Sequence, residues 1–234
     1  MEDNNIIDNL IEFGLTRQEA IIYVALHKAT SLTGYEVAKI TGISRSNVYS
    51  SLSGLVDKGA AFMLEGDSTK YIAVEVEEFT KNRLRILTLK QDNLIETMPR
   101  TQAELDGYIT IRGCANIYNK MINMLDGAKL RVYLSMTASR IDDFEEKIKE
   151  LVKKEIKVIL ISDKEVTIPG VITYRSEDKG NQIGIITDSV NVLTGEYKHT
   201  TDDSALYTGQ PNFVRIFKES MKNEIKLIEL KKEN

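Results

Sequence analysis

The chain has 234 residues, of which 42% are hydrophobic and 28% are charged, and its net charge is −4. This length and composition are those of one or two globular domains and exclude a disordered chain. No apolar run reaches the roughly 20 residues that cross a bilayer, and the start Met-Glu-Asp-Asn-Asn is not a secretory signal. A single cysteine, Cys114, excludes an internal disulfide framework, so we expect a cytoplasmic protein without a membrane partner.

Two helices are predicted first in chain order. Thr16 and Glu19 form the pattern of a capping box, in which each side chain bonds the other residue's backbone amide. The helix that follows presents one face at helical spacing, made of Ala20, Ile21, Val24, Ala25 and Lys28. A shorter helix is expected from Tyr35 to Thr41. Thr33 or Gly34 would start it, and Gly42 would break it after its last residue. Its expected buried residues are Val37, Ala38 and Ile40.

A third helix runs from Arg45 to Lys58, with Ser44 as its cap and Gly59 after its end. Its apolar residues make one narrow ridge, consisting of Val48, Leu52, Leu55 and Val56. Two β-prone runs, 60–65 and 69–74, flank a Gly-Asp-Ser turn and predict a hairpin. Three helices and then a hairpin is the element order of a winged helix-turn-helix domain, which we place at residues 1–75.

In a helix-turn-helix the second helix of the motif enters the major groove of double-stranded DNA, and its first residues reach the bases. The candidate DNA-binding residues are therefore Ser44, Arg45, Ser46, Asn47, Tyr49, Ser50, Lys58 and Lys70. Arg45 suits guanine and Asn47 suits adenine, whereas the hydroxyl groups and lysines suit phosphates. The first 76 residues carry a net charge of −4, however, which leaves two alternatives open: a solvated helix face without a partner, or a protein-interaction scaffold.

The next segment, placed at residues 76–105, has the period of a coiled coil and is stopped by Pro99. The repeated positions, spaced three and four apart, are Leu84, Leu87, Gln91, Leu94 and Met98. We expect this helix to form a homodimer, because two-fold DNA readers need such an element to set the spacing of their half-sites. The alternative is a helix that packs on its own C-terminal domain.

Residues 106–234 alternate between strand and helix patterns and predict an α/β domain, so that the whole chain is α+β. Strands are expected at 108–111, 130–134, 156–161, 171–174, 183–187, 190–193 and 225–230, and helices at 115–125, 141–154 and 212–221. Since α/β sheets bind ligands beyond strand ends, polar residues there are candidate contacts for a small-molecule effector. They are Arg112, Ser135 and Asp188.

The residues offer little to an enzyme. We find no Cys/His cluster for a metal, no phosphate-binding glycine loop and no sign of a cofactor, and we name no catalytic residue. Cys114 lies near a predicted helix start, where the helix dipole lowers a thiol pKa, so a thiol- or redox-responsive regulator stays open beside a plainly packed cysteine.

Residues 9–75 resemble the DNA-binding domain of TrmB-type transcriptional regulators. The resemblance rests on Phe13-Gly14-Leu15-Thr16-Arg17-Gln18-Glu19-Ala20 with Tyr23, and on the stretch Ser44 to Leu52 followed by Leu55-Val56-Asp57-Lys58-Gly59-Ala60. It implies a winged helix, a coiled-coil dimer helix and a C-terminal effector domain. Because the chain ends at Asn234, we expect no long sugar-binding extension of the kind that some members carry.

Residues 107–230 are similar to the phospholipase D-like domain that such regulators often contain. The resemblance implies a His-x-Lys-(four residues)-Asp motif, and aligning its Asp on Asp188 puts Asn181 at the His position and Ile183 at the Lys position. His199 is no substitute, because Thr201 stands two residues after it. We therefore expect a catalytically inactive copy rather than the alternative, a phosphodiesterase with an accessory DNA-binding domain.

Overall fold

A computed structural model describes residues 2–99, 107–177 and 179–233. The chain divides into two compact units, residues 1–101 and 102–234. The expected joint between the coiled-coil segment (76–105) and the C-terminal domain (106–234) falls in 100–106, outside the described residues, so the three-part division stays a prediction. No helix of the described residues is long and apolar enough to cross a membrane.

The N-terminal unit consists of helices around a small sheet, as the sequence predicted. Its elements are α1 (Glu2–Glu12), α2 (Arg17–His27), β1 (Leu32–Thr33), α3 (Gly34–Thr41), α4 (Arg45–Asp57), β2 (Ala61–Leu64), β3 (Lys70–Ala73) and α5 (Val76–Thr97). The strands form an antiparallel sheet in the order β1-β3-β2, with Leu64 opposite Lys70 at the turn end of the hairpin. The winged helix-turn-helix order is thereby confirmed.

Local signals fix the helix ends in this unit. The capping box of Thr16 and Glu19 is present, and Thr33 and Glu36 form a second one that the sequence analysis did not name. Gly42, at φ +70°, ends α3 in the left-handed conformation, which costs a glycine little because it has no Cβ. These caps set where α2, α3 and α4 begin and end.

The buried faces correct part of the prediction. In α2 the most deeply buried residues are Ala20, which was on the predicted face, and Ile22, Tyr23 and Leu26, whereas Ile21 is only half-buried. Ile40, predicted to be buried, is 61% exposed at the end of α3. Both errors arise because a short helix offers several apolar faces, and packing against its neighbours selects one. The sequence analysis also missed α1 and β1.

The predicted long helix is present as α5, and Met98 caps its end. Only Phe79, near its start, is buried. The predicted seam residues are exposed in the single chain, among them Leu84 at 54%, Leu87 at 44% and Leu94 at 57%. Ile95 lies on the same side, and Leu89 lies on the other side of the helix.

The C-terminal unit is an α/β domain, as predicted. Its elements are β4 (Ile109–Arg112), α6 (Cys114–Asp126), β5 (Arg131–Ser135), α7 (Ala138–Ile141), α8 (Glu145–Lys153), β6 (Lys157–Ser162), β7 (Ile172–Arg175), β8 (Gln182–Thr187), β9 (Asn191–Glu196), β10 (Ser204–Thr208) and α9 (Pro211–Glu233). The strands form one sheet in the order β4-β10-β9-β8-β5-β6-β7. Pairing is parallel between β5, β6 and β7 and antiparallel elsewhere, so this sheet is mixed.

Two apolar layers cover this sheet. The larger core contains α6 and α8, through residues such as Ile117, Met121 and Ile148. In a second cluster, Val214 and Met221 of α9 pack with strand residues such as Ile161, Ile186 and Val192. The domain is therefore a three-layer arrangement, with the sheet between α6 and α8 on one face and α9 on the other.

The end of the chain corrects the sequence analysis. The expected closing strand 225–230 is wrong, because α9 continues as one helix to Glu233. Its packed residues, spaced three or four apart, are Val214, Phe217, Met221, Ile225 and Ile228. A six-residue, mostly apolar run does not distinguish a strand from a helix, and only the longer helical period shows the helix. Strand β10 was missed, and the predicted helix 141–154 is divided into α7, a 3₁₀ turn at Asp142–Phe144 and α8.

Candidate nucleic-acid interface

The first turn of α4 presents an exposed polar surface. Ser44 is the N-cap, and its Oγ accepts a hydrogen bond from the Asn47 amide at 3.4 Å. The predicted ridge is buried, with Val48, Leu52 and Leu55 fully inaccessible, and Val56 is half-buried. The residues on the other side, Arg45, Ser46, Asn47, Tyr49 and Ser50, are exposed. Five of the predicted contact residues therefore share one solvent-facing surface, which we call the α4 face.

Arg45 is held by an aromatic side chain that the sequence analysis missed. Its Cζ lies 4.6 Å from the centroid of the Tyr35 ring on α3, within the range of a cation–π contact. Tyr35 itself is 55% exposed. The ring limits the rotation of the guanidinium while its N–H groups stay free to donate. The sequence signal that could have indicated this contact was a tyrosine at the start of α3, ten residues before Arg45.

Tyr49 packs closely against the start of α3. A Cβ on Gly34 would lie 2.6 Å from Tyr49 Cε1, so the close approach of α3 and α4 requires glycine at this position. Tyr49 remains 52% exposed, so its ring supports the helix pair while part of it faces solvent. The glycine contact thus fixes the position of one residue of the α4 face.

Lys58 does not join the α4 face. Its Nζ donates to Glu19 Oε2 at 2.6 Å, and Glu19, on α2, is buried. Burial acts to raise the pKa of Glu19, but the hydrogen bonds from Lys58 and Thr16 outweigh it and hold that pKa below its ordinary value. The structure thus engages Lys58 in an ion pair inside the domain, where its charge already has a partner.

Lys70 lies on the hairpin, the wing of the domain, and is exposed. Its strand, β3, is the middle strand of the small sheet, and Lys70 pairs with Thr33 on one side and Leu64 on the other. Phe62, Met63 and Leu64 are also exposed, at 49–56%. The wing therefore offers one cation and an apolar surface rather than a basic one.

The first turns of α4 are less negative than the N-terminal domain as a whole, since they contain Arg45 and no acidic residue. Helix α4 contains a single acidic residue, Asp57, at its last position, about 18 Å along the axis from Arg45. The positive end of the helix dipole adds to the charge of Arg45 at the N-terminus. Helix α4 itself thus adds no acidic side chain to its first turns.

The three candidate effector residues do not form one site. Arg112 and Ser135 end β4 and β5 at the same edge of the large sheet, but three strands separate them, which amounts to about 19 Å at about 4.8 Å per strand. Asp188 follows β8, which runs antiparallel to β5, and so lies at the opposite edge. The sequence could not show this, because the strand order depends on the long-range pairing.

Asp188 has a structural role of its own. Oδ1 accepts hydrogen bonds from the amides of Leu130 and Arg131 at 2.8 and 2.9 Å, and Oδ2 accepts one from the amide of Lys129 at 2.9 Å. Burial acts to raise the pKa of Asp188, but these amides keep it below its usual range. Its carboxylate therefore joins the β8–β9 turn to the start of β5.

The positions that correspond to the phospholipase motif lie around β8. Asn181 directly precedes this strand, and Ile183 is a buried residue within it. Cys114 is half-buried at the start of α6, beside a cavity of about 330 Å³ that Tyr118, Asp143, Tyr197 and His199 also line. Among residues 2–99, 107–177 and 179–233, no group of three or more His, Cys, Asp or Glu side chains is placed to hold a metal ion.

Comparison with known proteins relates the chain to a family of regulators. Residues 10–77 match the model of the family described as sugar-specific transcriptional regulator TrmB. The chain is 25% identical to YrhO of Bacillus subtilis strain 168, across 98% of this chain and 88% of that protein. It is 24% identical to the HTH-type sugar sensing transcriptional regulator TrmBL1 of Pyrococcus furiosus, across 69% of this chain and 48% of that protein.

Two solved structures are similar to this chain. TrmBL2, described as an archaeal chromatin protein, is 19% identical, with a TM-score of 0.45, and the match covers 97% of this chain and 99% of that one. Nuc of Salmonella typhimurium, a phospholipase D family member, is 14% identical over 51% of this chain and 95% of that one, with a TM-score of 0.42. The family model on residues 10–77 and the similarity to TrmBL1 relate the N-terminal domain of this chain to the TrmB-type transcriptional regulators.

Proposed function

We propose that this protein is a homodimeric, cytoplasmic transcription regulator that inserts the first turns of α4 into the major groove of its operator DNA. The observation that carries the proposal is the α4 face: a fully buried apolar ridge on one side of the helix, and Arg45 and Asn47 exposed on the other. A helix that only covered its own domain would not need a guanidinium oriented by a neighbouring ring at its outer end.

The roles of the side chains follow from their chemistry and position. Arg45 presents paired N–H donors to guanine, and Asn47 can both donate to and accept from adenine. Ser46, Tyr49 and Ser50 donate to phosphate oxygens and set the register of the helix on the duplex. Ser44 acts first as the helix cap, so its contribution to DNA is through the orientation of the first turn.

Lys70 is retained as a phosphate contact on the wing, and Lys58 is withdrawn because its charge is paired with Glu19. With so few free cations for each domain, we expect modest nonspecific affinity. A dimer doubles the number of phosphate contacts, and binding should weaken steeply as salt rises.

We propose that α5 forms the dimer with a second copy of the same helix. It is 22 residues long, about 33 Å, and its exposed apolar side repeats at the coiled-coil spacing from Leu84 to Leu94. Each fully buried leucine stabilises such an interface by about 1.5–3 kcal/mol. A two-fold pair of α4 helices about 34 Å apart would then match two half-sites one DNA turn apart.

We also propose that the C-terminal domain modulates DNA binding by taking up a small-molecule effector. The sheet edges are where α/β domains bind ligands, and both edges of this sheet carry polar residues at strand ends. No catalytic step is assigned to the domain, because the expected nucleophile and phosphate-binding positions hold Asn181 and Ile183.

The test uses DNA fragments that the full-length protein enriches from a random duplex library, with affinity measured by fluorescence anisotropy. Arg45→Ala and Asn47→Ala are each expected to weaken binding about 5- to 150-fold and to relax the preference for one base, as lost base contacts of about 1–3 kcal/mol require. Arg17→Ala is the matched control, because Arg17 is an exposed arginine of the same domain that pairs with Asp8 on the surface.

Equal affinities for the wild type, Arg45→Ala and Asn47→Ala would contradict the assignment of the α4 face. Failure to enrich any duplex at low salt would contradict DNA binding itself and favour the protein-interaction scaffold. Circular dichroism of each variant verifies that α4 remains folded, since neither side chain is buried.

A further inference from the structure

A second candidate site lies at the edge of the large sheet that carries Asp188. It is a cavity of about 300 Å³ between α6, the β8–β9 turn and β10. The polar residues that line it are Lys120, Asn123, Lys129, Thr187, Asp188, Asn191 and Tyr207. Asn181, at the His position of the phospholipase motif, is at the opposite end of β8, whereas Asp188, at the Asp position, lines this cavity. We call it the Lys120 cavity.

Lys120 is a half-buried cation without a carboxylate partner. Its Nζ lies 3.6 Å from the centroid of the Tyr207 ring, and within the described parts of the chain no acidic side chain forms an ion pair with it. Burial lowers the pKa of Lys120, which reflects the cost of keeping an ammonium group partly out of water. The ring offsets part of that cost through its negative face, but a ring does not neutralise the charge.

Asp188 is the carboxylate that lines the same cavity. Both oxygens of Asp188 accept hydrogen bonds from backbone amides, as described above. The oxygen of the Asn191 side chain is also engaged, since it accepts a hydrogen bond from the Tyr207 hydroxyl at 3.1 Å. Burial raises the pKa of Tyr207, so the ring remains a neutral phenol. Against the single carboxylate of Asp188, the cavity offers two ammonium groups and the amide N–H groups of Asn123 and Asn191.

We propose that the Lys120 cavity binds a small molecule bearing a carboxylate or a phosphate, with Lys120 as the main cation for that group. Its volume is at the lower end of small-molecule sites, which favours a compact metabolite over a polymer. The anionic group replaces the water that a half-buried ammonium loses, and Lys129 and the two amides complete its hydrogen bonds. Met124 and Val190 supply an apolar wall for the remainder of the molecule.

The assignment deepens the effector role given to the C-terminal domain, and its regulatory part rests on the proposed function. Binding of the anion, however, does not depend on DNA. The site is tested on the full chain without DNA, so that a failure here and a failure of DNA binding are separate results. Effector contacts at Arg112 and Ser135 are not required by this assignment.

The experiment titrates the ¹⁵N-labelled full chain with inorganic phosphate and, separately, with acetate, at constant ionic strength held by chloride. We expect saturable shifts of amides in α6, the β8–β9 turn and β10 in the millimolar range for at least one of the two anions. Saturation by phosphate alone assigns a phosphorylated ligand, and saturation by acetate alone assigns a carboxylate. Shifts that do not saturate with either anion would overturn the proposal.

Variants separate a binding role of Lys120 from a packing role. Lys120→Gln removes the charge and is expected to weaken binding at least about 10-fold, whereas Lys120→Arg keeps the cation over the ring and retains affinity within about 3-fold. Lys153→Gln, on an exposed residue of α8, is the matched control and should leave affinity unchanged. Equal binding by Lys120→Gln and the wild type would refute the assignment. Should Lys120→Gln fail to fold, loss of saturable binding in folded Lys120→Arg would refute it as well.

Discussion

The ion pair between Glu19 and Lys58 connects α2 to the end of α4, so its removal should weaken the whole helix-turn-helix. Glu19→Ala deletes two bonds to one oxygen, from the Thr16 amide at 2.6 Å and from Lys58 Nζ at 2.6 Å. Loss of the cap costs about 1 kcal/mol. Breaking a buried pair costs about 3–5 kcal/mol, but Lys58 is 32% exposed and regains water, so about 1 kcal/mol remains.

The expected total is a loss of about 2 kcal/mol in the free energy of unfolding. Urea unfolding followed by circular dichroism measures it, and hydrogen exchange of α2 and α4 peptides shows that the N-terminal unit is the part affected. Glu36→Ala is the matched control, because Thr33 and Glu36 make the same two capping bonds on α3 at an exposed position, where Lys70 acts on Glu36 only as a nearby charge. It should cost clearly less than Glu19→Ala.

A double-mutant cycle with Lys58→Met isolates the pair from the cap. The coupling energy should be about 1 kcal/mol in favour of the pair. A coupling of zero, or a Glu19→Ala cost no greater than that of Glu36→Ala, would refute the claim that Lys58 is held by Glu19. Lys58 would then return to the set of candidate phosphate contacts.

Three further predictions concern pH, assembly and the sheet edge. The folded pKa of Glu19 lies below its ordinary 4.5, so the contribution of Glu19 to stability should be complete above about pH 4.5 and disappear as the pH falls through the folded pKa. Urea titrations at a series of pH values should find this dependence reduced in Glu19→Gln. The double variant Leu87→Lys, Leu94→Lys should sediment as a monomer, whereas Leu89→Lys, on the other side of α5, should remain a dimer. A monomeric wild type, or a double variant that is still a dimer, would reject the coiled coil. Asp188→Asn should destabilise the C-terminal unit by about 1 kcal/mol and speed amide exchange at Lys129, and unchanged exchange would contradict its role in that turn.

The sequence was sufficient for features that depend on one or two turns of chain. The capping box at Thr16, the left-handed Gly42 and the buried ridge of Val48, Leu52 and Leu55 were predicted and are present. Each depends on groups within a few residues of one another, so the pattern alone contains the information. The order of helices and hairpin then fixed the winged helix.

Errors occurred where several local solutions were available. The run 225–230 is short and mostly apolar, as many strands are, yet it packs as the last part of α9, because it continues the helical face that runs from Val214 to Ile228. Ile40 looked like a core residue by composition, but the neighbouring helices leave no apolar surface over it. Tertiary packing outweighed weak local preferences in both cases.

The sequence by itself thus determined the type of the N-terminal domain, the polar side of its third predicted helix and the exposed apolar repeat of α5. Only the tertiary structure decided that Lys58 is paired with Glu19, that Tyr35 orients Arg45, and that Lys120 lies over the Tyr207 ring. These contacts join residues between 10 and 87 positions apart. Their partners are chosen by how helices and strands pack, and no local spacing in the chain specifies that choice.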